Sequence, residues 1–388
     1  MSSFGFALRQ KVKMLSQNVY LPAVYEACRF QKVDPNLVIF ADAHHNARPA
    51  AMDLLYHRLK KDGRFHIVQM YCDYGTASKK KVLQHMTVFM RLYAKAGFVV
   101  ICDNFLPVAS CKKKPGTKVI QLWHACGCYK KFWYDAPDDI PADYHGEVFR
   151  NIDLVTVSSK AAVRPFCRAM HLTEEQVRPL GVSRTDLYFS EKWRARCASR
   201  FRERYPEVYG KIIVLWAPTF RGNAGVPELL DLDVGKLQQE LGDSYLVLTR
   251  LHPHMKQAQK ESAHDCPIPT EELYPVVDVL IADYSSLIYE YLLFGGQVVL
   301  YAPDVEEYRK RRGFYMDIDE IPGEIVTDPV SLADAVRQAA EHTRSQKDRP
   351  RDLFLMKYMG ACDGHVTERI YSWMNGGCQR RTDIFDYK

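Results

Sequence analysis

Three apolar runs in the second half of the chain stop at side chains able to hold a phosphate. Lys211-Ile212-Ile213-Val214-Leu215-Trp216 leads into Thr219 and Arg221, Tyr245-Leu246-Val247-Leu248-Thr249 into Arg250 and His252, and Val279-Leu280-Ile281-Ala282 into Asp283-Tyr284-Ser285-Ser286. Guanidinium forks, imidazoles and hydroxyls are the donors a charged phosphoryl group needs. The third run feeds a helix through a Ser-Ser turn. Ser285 or Ser286 suits its N-cap, and Gly295-Gly296 closes it. Backbone N–H groups, two hydroxyls and the positive end of a helix then meet at one point. Taken alone, that stretch reads first as an ordinary capped helix. The three strand ends together point to one phosphate-rich pocket, because ligands of open α/β sheets bind outside the carboxyl ends of the strands.

A further strand end lies upstream, in Lys118-Val119-Ile120-Gln121-Leu122-Trp123-His124-Ala125-Cys126-Gly127-Cys128-Tyr129-Lys130-Lys131-Phe132. A single histidine is more often structural than catalytic. His124 sits at a strand end beside a glycine turn and two lysines, which favours chemistry. His124, Cys126 and Cys128 also read as metal ligands, but no second Cys/His cluster has a zinc-like spacing. Asp231-Leu232-Asp233 and Asp317-Ile318-Asp319 read as exposed acids, so neither a metal cage nor a cofactor is expected.

Positioning these ends requires alternating strands and helices. Strands are expected at 36–40, 65–71, 98–102, 153–158, 177–180 and 297–301, and helices at 49–61, 80–96, 329–343 and 365–374. Such alternation predicts α/β architecture with parallel sheets. The 388 residues suffice for two domains. A charge-dense stretch over 191–204 marks the junction, giving an N-terminal domain over 1–200, a second over 201–360, and a C-terminal helix and tail over 361–388 that returns to the first.

The 53 Lys and Arg against 47 Asp and Glu leave a mildly basic chain suited to anionic ligands or surfaces. Eleven scattered cysteines fit a reducing compartment better than a disulfide framework. No signal peptide is evident, and no run approaches the roughly 18–20 apolar residues of a membrane span. Residues 4–30 mix Phe4, Phe6, Leu8 and Val12 with Arg9, Lys11 and Lys13. That pattern fits a basic helix lying on a membrane or a first helix packed on its domain. Lys112-Lys113-Lys114-Pro115-Gly116 reads as an exposed basic loop, a solvated turn or a contact for acidic headgroups. Without interleaved aromatics it is no nucleic-acid site.

In this order and spacing the motifs resemble the CDP-glycerol glycerophosphotransferases of wall teichoic acid synthesis and their polyol-phosphate relatives. The blocks are Gln121-Leu122-Trp123-His124 through Gly127 to Lys130-Lys131-Phe132, then Gly181-Val182-Ser183-Arg184-Thr185-Asp186. They continue with Ala217-Pro218-Thr219-Phe220-Arg221, Arg250-Leu251-His252-Pro253, Asp283-Tyr284-Ser285-Ser286, Arg312-Gly313-Phe314-Tyr315 and Asp363-Gly364. Ser183, where a proline is usual, and Gln297, where a lysine is frequent, depart from the pattern. The length is similar to that of the short priming members.

The resemblance implies two Rossmann-like domains facing across a cleft, the GT-B type. It implies a CDP-glycerol or other CDP-polyol donor in the C-terminal domain and a lipid-linked saccharide acceptor in the N-terminal one. The location it implies is cytoplasmic, peripheral on the inner, anionic face of the membrane. An acceptor hydroxyl would attack the β-phosphorus and CMP would leave. His124 is then the expected general base. His252 is the second catalytic histidine, supporting phosphate charge with Thr219, Arg221, Ser285 and Ser286. Arg250 joins the donor set, Glu290 is expected on a donor hydroxyl, and Asp283 orients its turn. Gly127, Lys130, Arg184 and Asp186 are expected on the acceptor side or in the cleft. The competing readings are a sugar-nucleotide glycosyltransferase on the same architecture and a non-catalytic surface or polymer-binding protein that kept the fold.

Overall fold

The computed structural model describes residues 13–136, 139–140, 147–219, 221–223, 226–228, 230, 232–251, 262–342 and 348–376. His252, Asp231 and the first part of the expected N-terminal helix lie outside them. The chain divides into two compact units, one of Met1–His124, Trp133–Asp186 and Ala361–Lys388, the other of Ala125–Phe132 and Leu187–Gly360.

The first unit is built on β1 (Asp34–Asp42), β2 (His66–Tyr71), β3 (Ala96–Ile101), β4 (Lys118–Gln121), β5 (Leu154–Thr156) and β6 (Val177–Arg178). They form one parallel sheet in the order β2-β1-β3-β4-β5-β6. From Leu37 to Asp42 every residue of β1 is buried, as expected of a strand covered on both faces. The covering helices have clear local causes. In Ala50–Asp62 the residues Ala51, Met52, Leu55 and Leu59 recur on one face, and Gly63 ends the helix at φ +78°. Lys79–Tyr93 starts where the Ser78 hydroxyl accepts from Lys81 N–H at 3.3 Å. The last helix, Val366–Met374, sends Val366, Ile370 and Met374 into the same core.

The second unit carries β7 (Ile212–Ala217), a short antiparallel hairpin of β8 (Arg221–Asn223) and β9 (Val226–Glu228), then β10 (Tyr245–Thr249), β11 (Val279–Ala282), β12 (Gln297–Tyr301) and β13 (Glu324–Val326). Its sheet is parallel, in the order β10-β7-β11-β12-β13. Both sheets are doubly wound. The chain runs outward from the first strand in one direction, then crosses back to build the other side.

The charge-dense stretch expected to mark the junction lies within the second unit, whose longer segment begins at Leu187. Glu191–Arg204 is a helix whose Trp193, Cys197 and Phe201, four residues apart, are buried, while its charged residues occupy the other faces. One expectation is corrected: the lysine run is not an exposed basic loop. Lys113 pairs with Asp153 at 3.1 Å, and the Lys114 ammonium donates to the carbonyls of Ala94 at 2.7 Å and of Gln31. Burial lowers the Lys114 pKa. Only Lys112 of the three points out. Two ammonium groups there satisfy carbonyls and a carboxylate that the turn would otherwise leave unpaired. Among the described residues no helix is long and apolar enough to cross a membrane.

Candidate active site

In a doubly wound sheet the loops diverge where the strand order reverses, leaving a crevice at the carboxyl edge. In the first unit that point lies between β1 and β3, and in the second between β7 and β11. Chemistry-bearing residues collect at both.

At the end of β1 the buried Asp42 accepts from the backbone N–H groups of His44 and His45, at 2.8 and 2.7 Å, and lies 2.9 Å from His45 Nδ1. Beyond β3 come Cys102 and Asp103, and beyond β4 comes His124. His124 Nδ1 lies 3.2 Å from the Cys102 carbonyl oxygen and 3.6 Å from Asp103 Oδ2. A carbonyl can only accept, so Nδ1 carries the proton in the neutral ring. Nε2 is left as the basic nitrogen. Asp103 Oδ2 is also 4.0 Å from His44 Nε2. The His124 ring is 46 % exposed, open enough to meet a substrate. The residue before it is strained: Trp123 has φ +58°, a conformation that costs of order 1–3 kcal/mol for a bulky side chain.

The second unit's edge is organised by Arg221, which spends its charge on protein carboxylates. Nη1 donates to Asp283 Oδ2 at 2.7 Å and to the Thr219 carbonyl at 2.9 Å. Nε and Nη2 hold the two oxygens of Asp304 at 2.7 and 3.0 Å. Thr219 N–H points at both oxygens of the fully buried Asp283, at 3.0 and 3.1 Å. The guanidinium also lies over the Tyr284 ring, 4.7 Å from its centroid, and Tyr284 O–H donates to Asp304 at 2.9 Å. Burial opposes the Arg221 charge, but Asp304 and Asp283 outweigh it and raise the pKa above the usual arginine value. Burial likewise would raise Asp304, yet Arg221 holds its carboxyl below the usual range. Arg221 thus ties the ends of β7, β11 and β12 together, and Asp283 orients the turn that presents Ser285 and Ser286. Both serines are partly exposed, and the Ser286 side chain makes no cap hydrogen bond. Arg250 donates to the Cys266 carbonyl at 3.0 Å. The Thr249 hydroxyl, at the end of β10, is buried without a partner.

Several of the residues expected as ligands have contacts within the protein itself. Glu290 is fully buried; Tyr188 O–H donates to one carboxylate oxygen at 2.8 Å and the Cys126 thiol faces the other at 3.2 Å. Gly127, at φ +69°, lies so close to Tyr289 that a Cβ would sit 2.3 Å from its ring. Burial pushes the Cys128 thiol up to about 12. Lys130 pairs through its backbone with Phe314. The Gly181–Asp186 motif is the seat of the last helix. Asp186 accepts from Val366 and Thr367 N–H at 3.0 and 2.8 Å, and a Cβ on Gly181, at φ +98°, would meet Val366 at 2.3 Å. Arg184 is the exception in that motif. Its charge lies near Cys102, and hence near the His124 cluster. Asp186→Ala is expected to cost about 1–2 kcal/mol in urea denaturation, with the acceptor KM unchanged. A raised KM at unchanged stability would return Asp186 to the ligand set.

Asp103 and Asp304 were not among the expected residues, although each follows a recognisable strand by two or three positions, the signal that marked His124. Among the described residues no group of three or more His, Cys, Asp or Glu side chains is placed to hold a metal ion.

The sequence matches the family described as CDP-glycerol:poly(glycerophosphate) glycerophosphotransferase over residues 23–375. It is 31 % identical to a teichoic acid ribitol-phosphate primase of Bacillus spizizenii, over 83 % of this chain and 86 % of that protein. To a teichoic acid glycerol-phosphate primase of the same organism it is 26 % identical, over 74 % of this chain and 76 % of the other. The fold is similar to that of the wall teichoic acid polymerase TagF, with a TM-score of 0.73 at 20 % identity, covering 95 % of this chain and 97 % of that one. The match over most of the length shows that the chain belongs to the CDP-glycerol:poly(glycerophosphate) glycerophosphotransferase family.

Proposed function

We propose that the protein transfers glycerol phosphate, or a related polyol phosphate, from a CDP-polyol to a hydroxyl of a lipid-linked teichoic acid precursor, releasing CMP. The observation that carries this is His124. In a chain of this family, a half-exposed imidazole is held through Nδ1 at the carboxyl edge of a parallel sheet, with Nε2 left basic. The acceptor O–H proton passes to Nε2 as its oxygen bonds to the β-phosphorus. The bond from that phosphorus to the CMP oxygen breaks, and CMP leaves with the electron pair. The GT-B arrangement belongs to the same proposal, with the acceptor on the first unit and the donor on the second. There Ser285, Ser286, Arg250 and Thr249 are the donors left for phosphate, and His252 completes the set. Arg221 serves them indirectly, by holding Asp283 and Asp304. The two primases differ in polyol, so mass spectrometry of products from CDP-glycerol, CDP-ribitol and a lipid-linked disaccharide tests both. Transfer from neither, or transfer of sugar from a UDP-sugar, overturns the reading.

Location on the inner membrane face is part of this proposal. It is supported by the exposed Leu15 and Val19 in the first helical segment. Binding to anionic vesicles is expected to exceed that to neutral ones and to fall with salt. Flotation tests this; equal or absent binding to both overturns it.

A further inference from the structure

We propose that Gln121 is a positioning residue for His124. Gln121 is the last residue of β4, in register with Ile101 of β3 and Val155 of β5, and its side chain is fully buried. A buried primary amide must be satisfied on both sides. Here Nε2 donates to the Asp103 carbonyl at 3.0 Å, while Oε1 accepts from Trp123 N–H at 3.2 Å. The reversed amide would set donor against donor and acceptor against acceptor, so its orientation follows from its partners.

These two bonds join the two chain segments that must meet at the imidazole. Trp123 N–H belongs to the segment that delivers His124. The Asp103 carbonyl belongs to the segment that supplies the ring's two acceptors, the Cys102 carbonyl and the Asp103 carboxylate. The turn between them is not one the chain adopts freely, because Trp123 stands at φ +58°. What holds it there is visible. The Gln121 amide takes its N–H, and its indole lies 4.5 Å from the His124 ring and edge-on to Phe166 at 5.6 Å. The residue before it is fixed as well: Leu122 N–H donates to the Ile101 carbonyl at 2.8 Å, and the Leu122 carbonyl accepts from the Thr156 hydroxyl at 3.1 Å. With its neighbours pinned, the strained turn presents His124 with Nδ1 against β3. No other side chain reproduces the bridge. Methionine has the volume and neither bond, and asparagine is one methylene too short to span both partners.

This inference rests on His124 being the base, and its test separates the two. The first arm needs no turnover. Long-range proton–nitrogen NMR spectra are recorded on the alkaline side of the ordinary imidazole value of about 6.5, with the His124 signal identified by its loss in His124→Ala. The wild type is expected to show the Nδ1–H form alone, and Gln121→Met a mixture of both tautomers. An unchanged His124 signal in Gln121→Met overturns the proposal. The second arm is a double-mutant cycle. Gln121→Met is expected to lower kcat about 100-fold, with the dissociation constant for CDP-glycerol unchanged, and to cause no further loss in the His124→Ala background. Equal losses in both backgrounds would mean Gln121 supports only the fold. Full turnover in His124→Ala would remove the base assignment while leaving the tautomer result to decide the positioning. If Gln121→Met does not fold by circular dichroism, Gln121→Asn takes its place, with a smaller loss in the same direction.

Discussion

His124→Ala is expected to lower kcat by about two to four orders of magnitude, the usual contribution of a positioned general base. An alcohol attacks phosphorus poorly while it keeps its proton, and no other side chain at the end of β4 is placed to take it. Affinity for the CDP-polyol is expected to stay within about twofold, because the base acts on the acceptor and no donor contact is removed. The protein is expected to remain folded: the ring is 46 % exposed, and its hydrogen bond is to the Cys102 carbonyl. Turnover alongside calorimetric titration of CDP-glycerol settles it. A collapse of donor affinity with turnover falling in proportion would place His124 on the donor phosphate instead. His252→Ala makes the complementary measurement, since a donor-phosphate contact raises KM as well as lowering kcat.

Arg221→Met is expected to act first on stability. The variant removes the cation paired with the fully buried Asp283 and both bonds to Asp304, leaving a charge without its counter-ion. Breaking a buried pair on one side costs about 3–5 kcal/mol. The lowest unfolding transition is therefore expected to fall markedly at pH 7. The pH dependence has a definite sign. Arg221 holds the Asp304 carboxyl below its ordinary value, so this stabilisation is fully present above the unfolded-state value of about 3.9. It is lost as the pH falls through the lower folded-state value. Protonation also relieves the Asp304 carboxylate left unpaired in the variant. The stability gap between wild type and Arg221→Met is thus expected to narrow below about pH 4. Urea denaturation at pH 7 and pH 3 measures it. A variant as stable as wild type at pH 7, but unable to bind CDP-glycerol, would show that Arg221 belongs to the phosphate after all.

Much of this protein was determined by local pattern. Short β-rich runs bounded by polar turns located the strands closely: Tyr245–Thr249, Val279–Ala282 and Gln297–Tyr301 form as their sequences indicate. The rule that ligands gather beyond strand ends picked out His124, Arg221, Asp283 and the two serines, and their order along the chain identified the family. These are consequences of periodicity and of turn chemistry, both readable within about ten residues. What the tertiary structure alone decided is which charge meets which. Arg221 looked like a phosphate ligand because its partners lie 62 and 83 residues away, brought beside it only by the crossing of β11 and β12 over the switch point. Asp186 finds the N-terminus of a helix 180 residues downstream. Asp103 meets His124 because β3 and β4 happen to be neighbours, and Gln121 spans them for the same reason. Lys113 and Lys114 turn inward for carboxylate and carbonyl partners contributed by other segments. A side chain's type states what it can bind. Strand order and crossover, which bring distant acceptors within 3 or 4 Å, decide whether the protein itself has already occupied it.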